Sequence, residues 1–165
     1  MATVAERIIT VAADRMSNLL MINGYPFNAT VRRGIRQGTG SPVNGTIYVS
    51  VDSLAPNEAL SYMGNPPVMG WDLVVRCSCI VTPSEGSTRP ADEWRLEAYD
   101  AMSRAMTSPV DWYAFKESDG TRLSVDAVIE ASEMQSNAEQ GQVGAHLLTR
   151  VKFRVSELSP SVVRS

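Results

Sequence analysis

Three side chains in this sequence have types that could do covalent or metal chemistry: the thiols of Cys77 and Cys79 and the imidazole of the single histidine, His146. Structural zinc takes four ligands from paired, short-spaced motifs, whereas Cys-x-Cys with one distant His supplies three. Residues i and i+2 of a strand share a face without disulfide geometry, so both thiols are expected as reduced core side chains in a cytoplasmic setting. Cys77 and His146 can also be written as nucleophile and base, the basis of a small cysteine enzyme. Nothing around them supplies the oxyanion donors or orienting carboxylate that such chemistry needs. Gly34 to Ser41 (GIRQGTGS) has the composition of a phosphate cradle, yet it lacks the Gly-Lys-Ser/Thr ending and leads into a strand. The expectation is therefore no catalytic, cofactor-binding or metal site.

The remaining candidates are contact residues. Arg150, Lys152 and Arg154 alternate along one strand, and their bland reading is cross-strand pairing with Asp126 and Glu130. The sharper reading makes these three, or Arg32, Arg33 and Arg36, a positive ridge for an acidic partner or a nucleic-acid backbone. The aromatic cluster containing Trp112 and Tyr113 either covers one end of a sheet or anchors another chain.

The elements that must position these residues are legible from periodicity. Val4, Ile8, Val11, Ala12, Met16, Leu19 and Leu20 make a helical stripe, opened by a Thr3/Glu6 capping box and stopped at Asn23-Gly24. Phe27 to Arg33 and Thr46 to Val51 read as strands. Trp71 to Val81 is the clearest one, with Trp71, Leu73, Val75, Cys77 and Cys79 on one face. A helix is expected from Pro90 to about Met106, buried along Trp94, Ala98, Ala101, Met102 and Ala105. Leu123 to Ser132 and Val143 to Val155 complete the strands, the latter with Leu147, Val151 and Phe153 inward. Surface excursions are expected at 34–45, 52–70 and 134–142. The predicted fold is α+β, a single domain with one mostly antiparallel sheet and two amphipathic helices packed on it.

With 165 residues, 44% of them apolar and 20% charged, the chain is long enough for one core and is neither disordered nor disulfide-stapled. A net charge of −3 disfavours a general polyanion binder. No run approaches the ~18 apolar residues of a spanning helix, so no membrane role is expected.

This linear plan resembles the tail terminator (minor tail, tail-completion) proteins of long-tailed bacteriophages. The resemblance rests on the Val4 to Leu20 helix, the FNATVRR strand at 27–33, the Thr46 to Val51 strand, the GWDLVVRC strand at 70–77, the helix from Ala91 to Met106 and the RVKFRV strand at 150–155. It implies a virion structural protein, assembled in the host cytoplasm as a ring, typically of six copies. Such a ring caps the finished tail tube and meets the head-neck connector, with DNA passing through its lumen. The related alternatives are a head-tail connector or stopper and a tail-tube subunit. The excursion at 52–70 is longer than in compact members of that family.

Overall fold

The computed structural model describes residues 2–23, 30–34, 46–81, 90–107, 115–137 and 142–164. The candidate contacts Arg36, Trp112 and Tyr113 lie outside these residues, as do the side chains of Leu19, Leu20 and Trp94.

Helix α1 spans Val4–Asn23. Its first turn closes as the capping box predicts: the Thr3 N–H donates to the Glu6 carboxylate at 2.9 Å and the Glu6 N–H donates to Thr3 Oγ1 at 3.3 Å. Val4, Ile8, Ala12 and Met16 form its fully buried stripe. Helix α2 spans Ala91–Met106, with Asp92 and Glu93 in the first turn, where carboxylates favour the positive end of the helix dipole. Ala98, Ala101, Met102 and Ala105 are its buried face.

The strands are β1 (Thr30–Arg33), β2 (Thr46–Pro56), β3 (Val68–Val81), β4 (Asp126–Asn137), β5 (Gln142–Ser156) and β6 (Ser159–Val163). They form one sheet in the order β1-β2-β3-β5-β4, with β6 added to β5. Every described pairing is antiparallel except that of β1 with β2, which is parallel. Both helices pack on one face, α1 over β1 and β2, and α2 over β3, β5 and β4. Between helices and sheet lie Ile47, Val49, Leu73, Val75, Leu147 and Val151, none of them exposed at all. The fold is thus the predicted α+β sheet-and-two-helix arrangement.

Several boundaries differ from expectation, each for a local reason. The excursion expected at 52–70 is shorter, because β2 continues through a bulge at Asp52 to Pro56 and β3 already begins at Val68. Only 57–67 leaves the sheet, with a single 3-10 turn at Glu58–Leu60. A bulge adds one residue and flips the side-chain parity, which hides strand continuation from an alternation count. The excursion at 134–142 likewise shrinks, since β4 runs to Asn137 and β5 starts at Gln142. The strand read from Leu123 starts instead at Asp126, and a second bulge lies between Ile129 and Ala131, with Ala131 exposed. Of the loop expected at 34–45, only Gly34 is among the described residues. Strand β6, five residues containing Pro160, was not anticipated at all.

Candidate functional site

The two residues that could have formed a nucleophile and base are kept apart by register. Cys77 pairs with Leu147 and His146 with Ser78, so the thiol points into the core and the imidazole emerges on the opposite, helix-free face. Burial pushes the thiols of Cys77 and Cys79 up to about 12, which leaves them protonated and unreactive at neutral pH. The reading of both as core side chains holds. Among the described residues, no three His, Cys, Asp or Glu side chains gather as a metal-ligand group.

The helix-free face is a lattice of charges. Arg76 on β3 donates through Nε to Asp52 in the β2 bulge at 2.9 Å. Arg150 on β5 lies 2.6 Å from Glu130 in the β4 bulge and 3.6 Å from Asp72 on β3. Each bulge therefore presents a carboxylate to an arginine of the neighbouring strand. Lys152 sits between Asp72 and Asp126 in register. Arg154 stacks over the Tyr62 ring at 5.7 Å and donates to the Leu60 carbonyl at 3.2 Å. Arg150 thus pairs across strands with Glu130, as the cross-strand reading expected, whereas Arg154 is held by the 60–62 segment instead. An open concavity of about 450 Å³ on this face is lined by Arg76, Glu133, His146 and Leu148.

Arg32 and Arg33 fail to form a common ridge. Successive strand residues point to opposite faces. Arg33 reaches back to α1, donating to Thr10 Oγ1 at 3.1 Å, while Arg32 lies exposed on the helix-free side of β1. Of the aromatic cluster at 112–115, the described member is Phe115. It is fully buried, its N–H donates to Ser124 Oγ at 2.8 Å, and the Arg15 guanidinium lies 5.1 Å from its ring centre.

One end of the sheet carries two mainly apolar grooves. An approximately 310 Å³ groove is lined by Ala5, Leu54, Met69, Trp71, Phe153 and Pro160. A second, of about 370 Å³, shares Met69 and Glu157 with it and adds Tyr62 and Met63. Around them Met63 is 90% exposed, Leu158 80%, and Leu54 47%. Exposed apolar side chains beside two adjoining apolar grooves are the kind of feature that marks an interaction surface.

No protein-family model matches the sequence, and no curated protein matches it. The surfaces above therefore carry the functional argument. Neither the apolar end nor the sheet edges were legible beforehand. Met63 and Leu158 are isolated apolar residues in polar surroundings, and their neighbours are known only once the 57–67 segment and the β5–β6 turn meet. Among the described residues no helix is long and apolar enough to cross a membrane.

Proposed function

We propose that the protein is a structural subunit of a long-tailed bacteriophage, a ring-forming tail terminator that caps the tail tube and joins it to the head-neck connector. The observation that carries this reading is the apolar end made by Leu54, Tyr62, Met63, Trp71 and Leu158. A subunit whose role is to cap another assembly needs a docking surface at one end, distinct from the contacts it makes to its own neighbours. The sheet supports the second requirement with two lateral edges, β1/β2 and β4, that carry no further strand among the described residues. Two non-equivalent surfaces of one subunit give head-to-tail contacts, which generate a ring when the rotation between copies closes and an open filament when it does not.

The test is the absolute mass by light scattering across a concentration series, with negative-stain images, followed by sedimentation with tubes assembled from the tail-tube protein of the same phage. The expected outcome is a closed ring that co-sediments with tubes, and loss of co-sedimentation in a Met63→Asp, Leu158→Asp variant that still forms rings. A chain that stays monomeric and fails to bind tubes overturns the reading.

A further inference from the structure

The register of the sheet relates its two lateral edges to each other. On the helix-free face, one row of facing residues runs from Arg32 on β1 through Tyr48, Ser78 and His146 to Glu133 on β4. The row begins with an exposed cation and ends with an exposed carboxylate. The adjacent row, on the helix side, runs from Val31 through Ile47, Cys79 and Ala145 to Met134. Its interior members are buried, while at its ends Val31 is half-buried and Met134 is 40% exposed. Charge complementarity on one face is thus matched by apolar complementarity on the other, at the same height along the strands.

Strand direction agrees. β1 and β2 run together, and each step to β3, β5 and β4 reverses direction, so β1 and β4 point opposite ways. A second copy set beside the first in the same orientation would bring its β4 antiparallel to β1, the arrangement in which edge hydrogen bonds form perpendicular to the strands. A cyclic ring relates its copies by rotation with no translation along the axis. When strands run along that axis, each group at one edge therefore meets the group of its own row at the other edge of the next copy.

We infer that copies of this chain join head to tail through these edges, with Arg32 of one copy against Glu133 of the next and Val31 against Met134. The occupant of each edge is a second copy, and the inference rests on the ring reading above. Exposed edges are also commonly blunted by charge to prevent pairing. That role predicts the opposite response, because reversing one of the two charges would then leave association unchanged or increase it.

The experiment compares wild type, Arg32→Glu, Glu133→Arg and the double reversal by light scattering, with circular dichroism to check that all four fold. Each single reversal places like charges at every contact and should raise the concentration at which rings form by about tenfold or more, since facing like charges are destabilising. The double reversal restores opposite charges at every contact and should restore rings. Wild-type rings that single reversals leave untouched would overturn the edge pairing while the ring reading survives. Rings that follow the charge pattern yet ignore tail tubes would keep the pairing and overturn the terminator reading. A wild type that is monomeric at every concentration and does not bind tubes would overturn both.

Discussion

Arg7, in the first turn of α1, grips Glu117 with two guanidinium nitrogens and donates with the third to the Ser161 carbonyl of β6 at 3.0 Å. One side chain thereby ties the first helix to the 115–122 turn and to the last strand, 110 and 154 residues away in sequence. The pairing holds the Glu117 carboxyl below its ordinary value and raises Arg7. Both side chains are about a quarter exposed, so the interaction belongs near the upper end of surface pairs, at about 1 kcal/mol. Arg7→Ala and Glu117→Ala should each destabilise the fold by about that amount. The double variant should cost less than the sum of the two, measured as a coupling in denaturant unfolding.

The same pair sets part of the acid limb of stability. Glu117 has a folded-state pKa below the ordinary value of 4.5, chiefly because Arg7 hydrogen-bonds its charged form. Glu6 is lowered by its bonds to Thr3, and Asp119 by its bonds to Thr121. In each case the unfolded state binds protons at a higher pH than the folded one, so this stability is complete above the ordinary carboxylate range and is lost as pH falls through the folded value. Unfolding free energy should therefore be flat near neutral pH and decline below about pH 4.5. Glu117→Gln should make that decline shallower. An acid limb indistinguishable from wild type would show that Glu117 titrates normally.

How much of this was readable in advance depends on how local each feature is. The Thr3/Glu6 box, the α2 limits and the Leu73–Cys79 face follow from spacing within one element, and each is present as expected. The bulges at Asp52 and Glu130 depend on how two strands align, a tertiary quantity that alternation in one strand cannot report. The parallel placement of β1 and the addition of β6 are likewise set by partners remote in sequence. For the candidate surfaces the same division holds. The pairing of Arg150 with Glu130 follows from alternation in two neighbouring strands, whereas the row from Arg32 to Glu133 exists only when four successive registers are known. Arg32 and Arg33, grouped by adjacency, belong to opposite faces.

The two cysteines give a direct reading of how rarely the core opens. Both are buried on the inner face and their thiols are pushed up to about 12 by burial. A thiol-reactive chromophore at neutral pH should label neither in the native protein on a timescale of minutes and both promptly in denaturant. The slow native rate should rise about fivefold in Arg7→Ala for a loss of about 1 kcal/mol, because labelling requires opening and the open population grows exponentially with the stability lost. Prompt labelling of native Cys77 would place it on an accessible surface and restore it as a candidate nucleophile.

Gly70 joins the sheet to the apolar end by a contact that admits no side chain. Its carbonyl accepts from Asn57 N–H at 2.8 Å and its N–H donates to Ser61 Oγ at 2.9 Å, so the 57–61 segment lies flat against β3. A Cβ at this position would stand 2.2 Å from Leu60 Cβ, 2.7 Å from the Asn57 carbonyl oxygen and 2.9 Å from the Leu60 carbonyl carbon. Two of those atoms are backbone, so no rotamer change relieves the clash and the segment must lift away. Gly70→Ala should cost about 1–3 kcal/mol, the usual range for overpacking. The displacement would also pull Leu60 from Arg154 and disturb Tyr62 and Met63, which follow directly in the chain. Under the ring reading proposed above, ring mass should be preserved, since β1 and β4 lie elsewhere, while binding to tail tubes weakens. Sedimentation of the variant with and without tubes separates the two effects. A variant that loses the ring and keeps tube binding would reverse the assignment of end and edges.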